Sequence, residues 1–497
     1  MKIFRNILAV TLFFCLGGGA YAQQGSYNAG LEGWAGYSTK GVLPFWLRSN
    51  RFGSVPLDGA SMSLVGFAGK DFDSGNGRLF DWGGALEGRG NLGHDSEFKL
   101  IEAYGKIRIG IFEVKGGRSR KITGLCDSTL SSGSWSVSGN NLGIPEIDVS
   151  IADYYALPWF GELFAIKGNL AHGWMGDLQL TRYIMEDTLS LPSYLHQKSL
   201  YGRIGRPSWK FRFYGGFNHQ VVWGSEQKYY LDDYKLKPWE TYFYVLTGKR
   251  YSSGYIQDER QGNHMGSVDL GFELDLEKIS ILLYRQNFYE VGGLAHFANI
   301  QDGLNGLSLE NRSVEDGRGH WRKFLVEFLY TKNQAGMPDS PEYGSDYEPY
   351  YNHGQYITGW SYKGENIGTP FLSARTYLRE GLAAHPKEYF INNRVMALHL
   401  GGEGMISNID YIFRASWSWN YGTYNTTDEE QSTGNPDPGL YGLFGVRKQF
   451  SAYLELNRQL KDNFSVGLVG AADLGDLYYN SGGLFLKVGY SFMKSDD

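Results

Sequence analysis

The chain has 497 residues, 68 of them Gly and 36 Tyr, and aromatics make up 16% of the total. A formal charge of −6 leaves no basic footprint for nucleic acid. After the first 22 residues no run of about 18 apolar residues occurs, which excludes a membrane-spanning helix.

In chain order, residues 1–22 read as a secretory signal. Lys2 and Arg5 form the charged start, Ile7–Leu16 the apolar stretch, and Ala20-Tyr21-Ala22 an A-x-A cleavage site. Cys15 lies in this leader behind a bulky Phe14, where lipoprotein processing needs a small residue. Cys126 is then alone in the mature chain, so no internal disulfide can form.

From there on, charged and apolar side chains alternate. Asp269, Glu273 and Asp275 sit between Val268, Leu270, Phe272, Leu274 and Leu276. Ile409, Tyr411, Phe413, Ala415, Trp417 and Trp419 share one face of 409–419, opposite Asp410, Arg414, Ser416 and Ser418. Leu484, Leu486, Val488, Tyr490 and Phe492 lie opposite Lys487, Gly489 and Ser491. Side chains alternate faces along a strand, so each segment has one greasy and one wet face. Segments about ten residues long whose wet face carries charges and glycines match transmembrane barrel strands. The pattern predicts strands near 28–40, 61–71, 83–92, 97–107, 111–118, 147–156, 162–172, 194–204, 209–223, 266–275, 279–288, 300–310, 320–331, 391–401, 408–420, 447–458, 464–472 and 484–492. That is about eighteen, an even number, as bacterial barrels require. The expected fold is therefore all-β: one outer-membrane barrel of antiparallel strands over 23–497, with short helices in long outer loops.

Joins after the second, fourth, sixth, eighth, tenth, fourteenth and sixteenth strands are short, as at Gly205–Ser208, Glu277-Lys278 and Gln459–Asn463. Most long joins follow odd-numbered strands: 41–60, 119–146, 173–193, 224–265, 332–390 and 421–446. Short periplasmic turns and long outer loops give this rhythm, and a soluble sandwich has no reason to sort loops by parity.

A cluster of marks lies near the middle. Leu195–Arg203 includes His196, Lys198 and Arg203. Phe213–Gly224 includes His219, Trp223 and Gly224. Leu246–Arg250 and Asp258–His264 follow, the latter with Arg260. Later come Tyr350-Tyr351-Asn352-His353-Gly354-Gln355-Tyr356, Gly359-Trp360 and Gly364–Phe371. The order and spacing of these segments resemble the capsule assembly Wzi family of outer-membrane proteins, in its Bacteroidetes-type form. The resemblance runs over most of the mature chain and is strongest from about 190 to 370. It implies an eighteen-stranded barrel that helps attach capsular polysaccharide at the cell surface. The implied partners are capsular polysaccharide or another surface glycan, outer-membrane lipid and the capsule export machinery. No cofactor and no metal are implied. Enterobacterial members carry a helical bundle before the barrel. Here strand-like Ala29–Tyr37 follows the leader almost at once, so that module is expected to be missing.

Read from the residues themselves, loop 332–390 is stocked for sugar. Tyr343, Tyr347, Tyr350, Tyr351, Tyr356, Trp360 and Tyr362 stand among Asn352, His353, Gln355 and Asn366. Rings stack on the apolar faces of pyranoses while amides bond hydroxyls. The alternative is that the rings pack the loop on itself or plug the lumen. Trp223 is expected in the interface belt, and His219 as a structural hydrogen-bonder near the rim. Asp258, Glu259 and Arg260 are expected to form a loop charge cluster. The inward Asp269, Glu273 and Asp275 should pair with inward cations such as Lys210, Arg212 or Arg414. Enzyme signatures are missing: there is no G-x-S-x-G, H-E-x-x-H, C-x-x-C or P-loop. Three functions are open: a polysaccharide-binding capsule-assembly barrel, a diffusion porin or transporter for sugars or oligosaccharides, and, last, a membrane-embedded hydrolase, for which no outward Ser–His pair is found. The volume of loops 224–265 and 332–390 favours a capped mouth and hence the first.

Overall fold

The computed structural model describes residues 27–493, apart from 56–59, 74–78, 94–95, 182–187, 314–318, 343, 345–346, 430–437 and 461–462. The leader, with Cys15, and Tyr343 therefore lie outside the described residues.

Eighteen strands form the wall. They are β1 (Tyr27–Ser38), β2 (Ala60–Lys70), β3 (Phe80–Leu92), β4 (Glu97–Ile109), β5 (Phe112–Arg118) and β6 (Glu146–Ala156). β7 (Phe164–Thr181), β8 (Thr188–Ile204), β9 (Phe211–Trp223), β10 (Asn263–Asp275), β11 (Ile279–Tyr289) and β12 (Gly303–Asn311) follow. β13 (Gly319–Tyr330), β14 (Val395–Ile406), β15 (Ile409–Asn420), β16 (Arg447–Gln459), β17 (Phe464–Gly475) and β18 (Ser481–Met493) complete the set. Each pairs antiparallel with its sequence neighbour, and β18 closes on β1 with Leu31 opposite Tyr490 and Ala35 opposite Leu486. Closure leaves no unpaired edge, the condition for crossing a bilayer with strands.

The alternation read from the sequence sorts the faces as expected. Leu484, Leu486, Val488 and Phe492 are exposed on the outside, as are Val268 and Leu270, while Asp269 is fully buried within. Of the inward carboxylates, Glu273 and Asp275 pair with a cation across strands, whereas Asp269 departs from the expectation and accepts the Tyr201 hydroxyl and the Leu125 amide, both at 2.8 Å. Arg212 of β9 donates to Glu273 at 2.7 Å and to Asp275 at 2.8 Å on β10. Lys487 of β18 reaches Glu455 of β16 at 2.7 Å. Arg414 has a different partner: it donates to the Thr129 carbonyl at 2.7 Å.

β7 and β8 are taller than the sequence suggests. Past Trp174 a bulge shifts the register, and pairing then continues from Gly176–Ser193 up to Thr181–Thr188. The expected loop 173–193 is thus mostly a hairpin standing above the rim. β5 is short in turn, so the chain leaves the wall at Arg118 and dives inward. The join 332–390 extends to Arg394, because 390–392 pairs with 373–374 inside the mouth instead of entering the wall.

Three loop segments fill the upper lumen: 42–55, 119–145 and 331–394. Their apolar side chains, including Phe45, Trp46, Leu130, Trp135, Tyr350, Tyr351, Trp360 and Phe390, merge into one buried core. That core includes inward residues from around the wall, among them Trp34, Leu195, Met265, Phe288, Leu329, Val395, Val469 and Phe485. A plug that buries apolar surface against so much of the circumference is held by the force that holds a soluble core.

Candidate functional site: the sealed mouth

Segment 119–145 is pinned by short polar side chains. The Leu125 amide donates to Asp269 at 2.8 Å and the Ser132 amide to Glu327 at 2.6 Å. Ser136 Oγ lies 2.8 Å from Asn218 Oδ1, and the Trp135 amide donates to Gln286 at 3.1 Å. A loop can be buried only if its backbone groups find partners. The inward Asp, Glu, Gln and Asn of β9–β13 supply them.

Onto this floor packs the aromatic loop. Trp135 stacks on Phe288 with centroids 4.2 Å apart and meets Tyr350 edge-on at 4.7 Å. Tyr350 donates its hydroxyl to Asp302 at 2.8 Å, and Tyr351 donates its own to the Trp135 carbonyl. Trp360 Nε1 donates to the Ser136 carbonyl at 2.8 Å. Tyr356 donates to the Val222 carbonyl at 3.2 Å. Asn352 holds Phe390 through both its carbonyl and its amide. Glu348 gathers the amides of Glu290, Val291, Gly292 and Gly293 and the Asn299 side chain, fastening 331–394 to loop 290–302.

Tyr350, Tyr351, Tyr356 and Trp360 are thus at most 1% exposed. Of the two roles open to these rings, the structure gives them packing, and they present no free face to a sugar. Asn352 is sealed with them. His353 is half-buried beside exposed Gly354 and accepts the Gln355 amide at 3.1 Å. Burial pulls its imidazole down to about 4, so it is neutral at physiological pH.

The outer surface of the same loop offers different groups. A two-residue hairpin places Ser361 opposite Asn366, with exposed Lys363 and Gly364 at its tip. Tyr377 and Tyr389 are both half-buried; Tyr377 donates its hydroxyl to the Glu365 carboxylate and Tyr389 donates to the Gly364 carbonyl at 3.1 Å. Arg48 lies 4.4 Å over the Tyr377 ring. Two rings converge there beside Lys363, with exposed Arg375 and Lys387 on the flanking chain. Sequence reasoning passed over Tyr377 and Tyr389 because they stand apart from the dense run before 362.

The family-like marks near 200 build a different element. His196, Lys198, His219 and Trp223 project from the outer wall, where loop 224–262 folds down over them. Its helix α3 (Pro238–Thr247, the third α-helix among the described residues after Phe45–Arg48 and Glu226–Tyr230) begins with Pro238. Glu240 caps the Lys237 amide at 2.7 Å, and the helix ends at left-handed Gly248. Val245 packs with Val221 and Trp223, flanked by Tyr194 and Tyr242. Trp223, expected in the interface belt, is buried here because the helix covers it. The exposed aromatics outside it are Trp239 (68%) and Phe243 (51%), four apart on the far helix face. His219 Nε2 meets His264 Nδ1 at 3.0 Å. Lys198 donates to the Leu246 carbonyl at the helix end. Gly224 has φ +114°, and a Cβ there would meet the Tyr194 ring at 2.5 Å, so only glycine fits. Arg260 donates to the Val291 carbonyl at 2.5 Å, while Asp258 pairs with Arg250. Arg203 faces the lumen, with its guanidinium 5.9 Å from the Tyr154 ring centroid. The marks are therefore split between the outer wall, a loop and the lumen, and they do not converge on one site.

Fold and mouth together define a plugged transmembrane β-barrel of the outer-membrane type. Among solved structures, the chain is similar to Escherichia coli Wzi, described as a carbohydrate-binding β-barrel involved in group 1 capsule assembly. The two are 14% identical, with 94% of this chain and 84% of that one covered and a TM-score of 0.52. It is also similar to Acinetobacter baumannii OccAB2 (9% identical; 96% and 99% covered; TM-score 0.46) and Pseudomonas aeruginosa OprD (9%; 96% and 97%; 0.44). At these identities the likeness is one of fold. No protein-family model matches the chain, and no curated protein matches it.

Proposed function

We propose that this protein binds surface polysaccharide at the outer membrane and assists capsule attachment, as a non-enzymatic relative of the capsule assembly Wzi family. The observation that carries the reading is the plug. Loops 42–55, 119–145 and 331–394 fill the upper lumen with a core continuous with the wall. A diffusion pore has no use for such a seal, whereas a binding surface needs a rigid base. The E. coli neighbour, described as carbohydrate-binding, supports the same choice. In this reading the buried Tyr350, Tyr351, Asn352, Tyr356 and Trp360 hold the shape of the cap. Glycan meets its outer surface at Tyr377, Tyr389 and Lys363. The rings supply stacking faces and the cations suit an acidic polymer.

The test is Tyr377→Ala with Tyr389→Ala. Both rings lie at the surface, so the barrel should still shift on gels when boiled. Polysaccharide retained on cells, measured against that shed into the medium, should fall several-fold, since each lost stacking face removes about 1 kcal/mol. Unchanged retention in a folded double variant removes this patch from the proposal. Unchanged retention on deleting the whole gene removes the capsule role.

A further inference from the structure

The outer wall carries a feature that neither glycan binding nor the plug uses. Across β10–β13 two rows of outward side chains lie in register. The upper row, nearer the long loops, runs Leu270, Arg285, Asn305, Phe328. The lower row runs Phe272, Leu283, Leu307, Val326. All eight line one open groove of about 530 Å3. Its lower half is wholly apolar and continuous with the lipid-facing belt, where Leu283 and Val326 are exposed. Its upper half holds a cation.

An arginine on the lipid side of a barrel is costly unless its head reaches the interface. Arg285 meets that condition by pointing up. Its guanidinium donates to Asn287 at 2.7 Å, to Asn305 at 2.8 Å, and to the carbonyls of Ile300 and Asp302 at 2.6 and 3.1 Å. Every one of these acceptors is neutral, and among the described residues no carboxylate forms an ion pair with it. The charge is fixed in place and is offset only through space, by the Asp302 carboxyl, which the Asn333 and Gln334 amides and the Tyr350 hydroxyl already occupy. A second cation, Arg260, holds the Val291 carbonyl of the same overhanging loop.

We propose that this groove binds one outer-leaflet lipid whose phosphate headgroup carries net negative charge, its acyl chain lying along Phe272, Leu283, Leu307 and Val326 and its headgroup anion beside Arg285. Two observations commit the site to a lipid instead of a soluble anion. The apolar lower row continues the bilayer-facing surface, and the guanidinium charge stands directly above that row, as a phosphate stands above its chain. The inference rests on the wall alone and stands or falls independently of glycan binding.

The test is native mass spectrometry of the full-length barrel in detergent, with phosphatidylglycerol, phosphatidylcholine of matched chains, or lipid A added. Phosphatidylglycerol and lipid A should be retained about five-fold more than phosphatidylcholine, the factor one near-surface cation supplies. Arg285→Gln should abolish that preference. Because Arg285 also braces loop 290–302, Val326→Trp serves as a second variant. It fills the apolar row and leaves the guanidinium untouched, and it should reduce retention of all three lipids. Equal retention of phosphatidylglycerol and phosphatidylcholine by the unmodified protein, or undiminished retention in Val326→Trp, overturns the proposal.

Discussion

Asp302 is fully buried and Glu388 half-buried, and both carboxylates fasten the cap. Glu388 accepts from Thr423 at 2.8 Å and Asn425 at 2.9 Å, tying loop 331–394 to loop 421–446. Asp302 accepts the amides of Asn333 and Gln334 and the Tyr350 hydroxyl. Burial disfavours the charged form and pushes each up to about 7, against the hydrogen bonds that favour it. The folded state therefore holds protons that the unfolded chain releases near pH 4. Stability from these groups is fully present below that value and falls as pH rises toward 7, by roughly 1.4 kcal/mol per unit of separation for each group. Thermal unfolding in detergent should accordingly occur at higher temperature at pH 5.5 than at pH 8. Glu388→Gln with Asp302→Asn should flatten that difference. A wild-type midpoint that rises with pH over this window contradicts the burial argument.

At the scale of the element, the wall follows from alternation and its faces can be tested one side chain at a time. Leu486 lies near the middle of β18 and is 62% exposed. In water, Leu486→Arg would cost almost nothing. In a bilayer it should destabilise the barrel by about 2–4 kcal/mol, as for a cation near the midplane. Urea unfolding of the refolded protein in phospholipid vesicles measures this, and a change below about 0.5 kcal/mol, the range of a neutral surface substitution, means that the face does not meet lipid. The strands were legible because a barrel wall repeats one local rule eighteen times. That rule faded where the hairpin of β7 and β8 rises above the belt. There Gly176, Asp177 and Pro192 look like loop residues, yet pairing persists because the wall below fixes the register. The aromatic loop was legible as a concentration of rings but not as a buried one. A Tyr that stacks on sugar and a Tyr that seals a plug look alike in composition. What decides between them is a partner far away in the chain, such as Trp135 or Phe288 against Tyr350. Trp223 was misread for the same reason: nothing in its own strand announces that a helix will cover it.

For the whole molecule, a barrel wall encloses a core made largely of its own loops, and the choice between holding a polymer and passing a solute turns on that core. Segment 119–145 is the part on which the rest depends. Trp360 and Tyr351 of the aromatic loop both bond to its carbonyls, at Ser136 and Trp135. The segment is also easily removed, because the Thr123 amide donates to the Val137 carbonyl at 3.0 Å, bringing the two ends together. Replacing residues 124–136 with a short Gly linker should leave the strand ladder intact, since loop residues contribute no pairing to the wall. The variant should still migrate faster unboiled than boiled. It loses Leu130 and Trp135 from the core and the floor under the cap, so a water path should open. In planar bilayers the intact protein should be electrically silent and the variant should conduct, with liposome swelling in sugar solutions following the same order. Under the proposed function, cells carrying the variant should also shed polysaccharide, because the outer patch at Tyr377 and Tyr389 is shaped by the loop that the segment supports. An intact protein that passes sugars at porin rates would place this chain among the diffusion pores and leave the plug without a purpose.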